Sequence, residues 1–140
     1  MRKMAKEAKN KKELNTDDEL VLQWDEIPPE VRAGVDALQD KKVEGLRVYD
    51  LRSFTPFCDF VILCTVMSPA QAKVAKESFI MSMEAEGCRL WGIEGGEDSG
   101  WMLVDFWDAV VHIFKPETRR YYNLEALWAD LPWWPGEPGV

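Results

Sequence analysis

Asp105 and Asp108 bracket a short turn in the run GWMLVDFWDAVVHIF, Gly100 to Phe114, and the chain's single histidine, His112, follows shortly after. Two carboxylates beside a sheet can hold Mg²⁺ for nucleotidyl transfer. An imidazole facing a carboxylate can act as a base or form an ionic hydrogen bond. Neither chemistry is complete here. Nucleotidyl transfer also needs a glycine-serine loop to hold the nucleotide, and usually a third carboxylate. The helix start that would carry such a loop reads Met67-Ser68-Pro69-Ala70, without glycine. The nearest nucleophile candidates, Ser99 and Cys88, have no supporting motif. We therefore read no enzyme, cofactor or metal site. Asp105 and His112 are expected to form a structural pair, diagonal across a hairpin, that raises the histidine pKa.

Two further groups could do chemistry. Glu94 to Gly100 (EGGEDSG) is rich in glycine, but it lacks the GxxxxGK[ST] lysine and is acidic where a phosphate would sit. It reads as a flexible acidic loop. Cys58, Cys64 and Cys88 are odd in number and widely spaced, with no CxxC. They read as reduced, largely buried thiols, which fits a reducing compartment.

The elements that must position these residues follow from hydrophobic period. Residues 101–106 and 109–114 are β-rich and separated by Trp107-Asp108, so they predict a hairpin. One face of it is all apolar: Met102, Val104, Phe106, Ala109, Val111 and Ile113. The other, with Trp101, Leu103, Asp105, Val110, His112 and Phe114, is mixed. Periodicity leaves two readings of Trp101: a core side chain, or an aromatic anchor on a contact face. Upstream, Pro29 to Lys42 predicts a helix with Val31, Val35 and Leu38 on one stripe. Leu46 to Leu51 is a strand, and Cys58 to Val66 a strand buried on both faces. Ser68-Pro69 starts a helix that reaches about Glu86, Arg89 to Ile93 is a short strand, and Pro116 to Trp128 is a final helix. The fold class is α/β (α+β), a mixed five-stranded sheet with flanking helices.

Residues 1–16 read as a disordered basic tail, 17–130 as the folded domain, and 131–140 as a Trp/Pro-rich, non-helical tail. The net charge of −8 argues against bare nucleic acid as a partner and favours a basic protein surface. No apolar run approaches the ~20 residues of a membrane span, and no secretory signal is present, so a cytoplasmic protein is expected.

Three segments carry a resemblance: DLRSFTPFCDFVILCT at Asp50–Thr65, IEGGEDSGWMLVDFWDAVVHIF at Ile93–Phe114, and RRYYNLEALW at Arg119–Trp128. In this order they resemble the ribosomal silencing factor, or Iojap, family over residues 30–128. The middle segment is the most specific, since Glu94-Gly95, Trp101, Asp105, Asp108, Val111 and His112 fall at family positions. The resemblance implies a nucleotidyltransferase-like topology without transferase activity. It also implies docking on the large ribosomal subunit through large-subunit protein fourteen, a block on subunit association, lower translation when nutrients are scarce, and a homodimer. Trp107 stands where the family usually has glycine, so the turn either has another shape or accepts strain. We expect Trp101, Leu103, Asp105 and His112 on the mixed face, with Trp107 and Asp108 at the tip, to form the partner-binding patch. The alternatives are a metal-dependent nucleotidyltransferase and a generic dimeric adaptor using the Trp-rich tail.

Overall fold

The computed structural model describes residues 20–136. The expected basic tail, 1–16, lies outside them. Helix α1, Pro29–Asp40, opens on a proline, whose missing N–H costs nothing in the first turn. It buries Val31, Val35 and Leu38, the stripe its sequence spacing predicts. Helix α2, Pro69–Ala85, is capped by Ser68, whose Oγ accepts the Gln71 N–H at 3.0 Å. Its buried residues are Ala72, Ala75, Phe79 and Met83. The two helices cross closely at Gly34, where an added Cβ would stand 2.7 Å from the Phe79 ring.

Six strands form one sheet among the described residues: β1 (Glu44–Asp50), β2 (Phe60–Thr65), β3 (Gly92–Glu94), β4 (Trp101–Asp105), β5 (Ala109–Phe114) and β6 (Trp133–Pro135). Their spatial order is β3-β4-β5-β2-β1-β6. Only β2 and β5 run parallel, so the sheet is mixed. β2 is buried along its whole length, as its unbroken apolar run requires. The strand beyond the expected five is β6, which comes from the segment read as a tail. It pairs antiparallel with β1, and Leu22 in turn donates its N–H to the Trp133 carbonyl at 2.8 Å. Two neighbouring prolines, Pro132 and Pro135, did not stop it, because an edge strand tolerates missing N–H groups.

Helices α1 and α2 cover one sheet face, enclosing Val48, Ile62, Val104, Val111 and Ile113. A smaller core lies on the other face, built from Tyr49, Leu51, Val61, Leu63, Phe114 and Leu131. Its cover differs from the continuous helix expected over Pro116–Trp128. Helix α3 spans Pro116–Tyr122 and ends at Asn123, which takes the left-handed conformation (φ 47°). A 3₁₀ turn follows at Leu124–Trp128. Asparagine tolerates that conformation, and the break lays Leu124 and Trp128 against the second core.

Candidate functional site

The β4–β5 hairpin divides as its sequence alternates. Met102, Val104, Phe106, Ala109, Val111 and Ile113 are all buried in the larger core. On the opposite face Leu103 is directly across from His112, and Asp105 across from Val110. This register sets the chemistry of the histidine. The Trp101 Nε1–H donates to His112 Nδ1 at 3.0 Å. Indole is only a donor, so Nδ1 offers its lone pair and the imidazole proton sits on Nε2. Phe114 and Trp128 flank the imidazole ring. Burial pushes the His112 pKa down to about 4.

The expected Asp105–His112 ion pair is therefore not formed, and the shift has the opposite sign to the one expected. Asp105 is used locally: its Oδ1 accepts the Trp107 N–H at 2.9 Å. In a dry site the neutral imidazole with one good donor is favoured over an imidazolium.

Trp101 lies between its two sequence readings. It is half-buried, with its ring centroid 4.7 Å from Tyr122 and 5.1 Å from Phe114. Leu103 and Asp105 are also half-buried, whereas His112 is only 9% exposed. The buried histidine thus orients the Trp101 ring instead of forming part of the exposed surface.

At the tip Trp107 has φ +69°, and the Asp108 N–H donates to the Phe106 carbonyl at 2.6 Å. This is a γ-turn of the strained, positive-φ kind. Tryptophan accepts the conformation a glycine would take freely. Its exposed ring meets that of Trp91 edge-on at 5.0 Å. Trp101 and Trp107 are six residues apart along an extended hairpin arm, ~20 Å at ~3.3 Å per residue. The structure thus gathers Trp101, Leu103 and His112 at one place and puts Trp107 and Asp108 at another.

None of the nucleophile candidates is activated. The Cys88 thiol donates to Asp108 Oδ2 at 3.3 Å. Partial burial, then that bond and the Asp108 charge, hold its pKa up at about 12. A reactive thiol needs the opposite shift. Burial holds Cys64 at about 12 and Cys58 at about 11, and all three cysteines are free. Ser99 Oγ lies 2.8 Å from the carbonyls of Gly96 and Trp101. It fastens the glycine loop, which has more fixed geometry than its composition suggested. Lys76 also pairs with Glu97 at 2.7 Å, lowering the carboxyl pKa. The cleft between this loop and the start of α2 measures about 190 Å³, below the ~300 Å³ at which small-molecule pockets begin. Among the described residues no three His, Cys, Asp or Glu side chains converge as a metal cage. Nor is any helix there long and apolar enough to cross a membrane.

Sequence reasoning missed the aromatic supports. Tyr122 and Trp128 brace Trp101 and His112, and Trp91 braces Trp107. Both lie in the RRYYNLEALW segment, but helical spacing there groups Trp128 with Leu124 and Tyr121, and Tyr121 is left exposed. Nothing local signalled Trp91, because its partner is fixed only by strand register.

Comparison with known proteins shows what the chain as a whole is similar to. The family described as "Ribosomal silencing factor during starvation" matches residues 25–138. The ribosomal silencing factor of Halalkalibacterium halodurans is 32% identical over 102 residues, covering 73% of this chain and 87% of that one. That of Chromobacterium violaceum is 34% identical over 103 residues, covering 74% and 84%. A crystal structure of a Chromobacterium violaceum protein superposes with a TM-score of 0.69 at 33% identity, covering 74% of this chain and 86% of that one.

Proposed function

The chain belongs to the ribosomal silencing factor family, and from that premise we propose that it represses translation, without catalysis, by docking on the large ribosomal subunit. The partner is large-subunit protein fourteen. The bound factor blocks the small subunit sterically under nutrient limitation. It works in the cytoplasm, and two copies associate as a homodimer.

The observation that carries the docking reading is the state of Trp101. A sheet face that only needed to be a core would bury this ring. Here an edge of it stays exposed, its N–H is held by His112, and Tyr122 and Phe114 pack against it. A pre-oriented aromatic edge loses little entropy on binding and suits a hot spot. Leu103 and Asp105 extend the patch along β4, and Trp107 and Asp108 offer a second, separate contact at the hairpin tip. Carboxylates at its border suit a basic ribosomal protein and would mainly speed encounter and fix register.

Sucrose-gradient sedimentation with purified large subunits in excess tests this reading. The protein should move with the subunits, and adding small subunits should then yield fewer joined ribosomes. A protein that stays at the top of the gradient defeats it. Micromolar, Mg²⁺-dependent nucleotide binding by calorimetry would favour the transferase alternative instead.

A further inference from the structure

The Trp91–Trp107 pair at the hairpin tip is not explained by the fold. Trp91 is 66% exposed and Trp107 46% exposed, so neither ring fills a core. Trp107 also holds a left-handed backbone conformation that strongly favours glycine. Strain of this kind persists where the surroundings enforce it, and it gathers at binding sites. The rings meet at 63°, leaving indole faces open to solvent at the β3 edge of the sheet.

Three aspartates adjoin Trp107, and one of them, Asp108, also accepts the Cys88 thiol. Asp105 accepts the Trp107 N–H, Asp108 follows in the chain, and Asp59 donates its N–H to the Trp107 carbonyl at 3.3 Å. The ion pairs among the described residues engage Asp50, Glu97 and Glu125, not Asp59, Asp105 or Asp108. Asp59 has its pKa raised by burial and then by the Asp108 charge, which together outweigh the lowering by the nearby Arg52 guanidinium.

We propose that the tip is an anchor for an arginine side chain on a basic polypeptide, with the guanidinium stacked on Trp91 or Trp107 and paired with Asp108 or Asp59. The proposal depends on the ribosome-docking reading only for which protein carries that arginine. A planar guanidinium suits both surfaces at once: its faces stack on indole and its edge hydrogen-bonds to carboxylate. Lysine fits less well, because its compact, hydrated charge has no stacking face. An RNA phosphate is repelled by the carboxylates. An apolar side chain would desolvate those carboxylates without compensation. The chain already uses the same contact internally, with Arg47 placed 4.3 Å from the centroid of Trp133 and Arg52 placed 4.6 Å from that of Phe60.

The test titrates a short peptide of alternating arginine and glycine into the full ¹⁵N-labelled chain, with its lysine counterpart as control. The indole signals of Trp91 and Trp107 should shift while that of Trp101 stays, and the lysine peptide should bind more weakly. Trp107→Gly should weaken the arginine peptide by about tenfold. Glycine suits this turn, so the variant keeps its fold, and Trp91→Ala gives a second reading without touching the turn. Unmoved Trp91 and Trp107 signals, or variants that bind as tightly as the parent, overturn the proposal. Subunit sedimentation of Trp107→Gly keeps the two questions apart. Lost peptide binding with retained subunit binding upholds the arginine site and removes the large subunit as its source. A parent that takes the peptide but does not sediment defeats the docking reading alone.

Discussion

The Trp101 indole and the His112 imidazole are joined by a 3.0 Å hydrogen bond in which the tryptophan donates and a neutral histidine accepts. The bond orders a half-buried ring by means of a buried one. It also links the orientation of the contact face to the protonation state of one residue. If His112 gained a proton, Nδ1 would become a donor facing a donor, and the bond would be lost.

That linkage gives the pH prediction. The folded pKa of His112, about 4, lies below its ordinary 6.5. Between these values the unfolded chain binds a proton that the folded chain does not. The stabilisation is therefore complete above about pH 6.5 and is lost as pH falls through about 4. At full extent it is of order 3 kcal/mol. Urea unfolding at pH 7.5 and pH 4.5 should show a larger loss for the parent than for His112→Gln, which does not titrate. NMR titration should give His112 a pKa well under 6.5. A value above it would restore the Asp105 pairing.

Trp101→Phe separates the indole N–H from the ring. Phenylalanine keeps much of the packing on Phe114 and Tyr122 but leaves the His112 acceptor unpaired. An unpaired buried polar group costs about 1–3 kcal/mol, so stability should fall by that amount. Large-subunit affinity should fall by less than about tenfold, because an aromatic edge remains. Trp101→Ala should lose stability and also weaken binding by roughly thirtyfold, about 2 kcal/mol. Parent-like affinity in Trp101→Ala would show that the ring is core alone.

Two glycines, Gly95 in the loop and Gly92 in β3, offer an internal contrast. A Cβ on Gly95 would stand 2.3 Å from the Trp101 carbonyl oxygen, at φ +82°. Backbone cannot move aside as a side-chain end can. Gly95→Ala should therefore destabilise by about 2 kcal/mol or more and displace Trp101, reducing subunit binding as well. A Cβ on Gly92 meets nothing within 4 Å. Gly92→Ala should stay within about 0.5 kcal/mol of the parent in chemical denaturation.

Particular residues show what was legible in the sequence. The apolar alternation of Met102 to Ile113 and the stripes of α1 and α2 could be read because local period alone decides which face is buried. The D-x-x-D spacing of Asp105 and Asp108 suggested shared chemistry, yet their side chains bind different donors, a turn N–H and the Cys88 thiol. The partner of His112 depended on which of two candidates on one face reached Nδ1. Spacing cannot rank a carboxylate against an indole, but desolvation can: it disfavours the charged pair. The Trp91–Trp107 contact depends on the β3–β4 register across a loop, and no local pattern encodes it. The Trp/Pro-rich segment was misleading because prolines discourage a strand everywhere except at an edge.

That segment supplies the last prediction. Trp134 is 9% exposed and belongs to the larger core, with its ring centroid 4.8 Å from that of Trp24. Its strand closes the β1 edge and ties down the chain at Leu22. Deleting residues 131–140 would therefore remove sheet and core together, and lost function would not be interpretable. Trp134→Ala removes the buried ring and leaves the backbone pairing in place. Truncating a buried tryptophan costs about 3–5 kcal/mol, so the urea midpoint should fall clearly. β6 lies at the far edge of the sheet from β3, with β5, β2 and β1 between it and β4. The folded fraction should therefore bind large subunits with unchanged affinity, measured at a temperature where the variant remains native. Lost binding by a demonstrably folded Trp134→Ala protein would move the contact surface to the C-terminal edge and favour the adaptor reading.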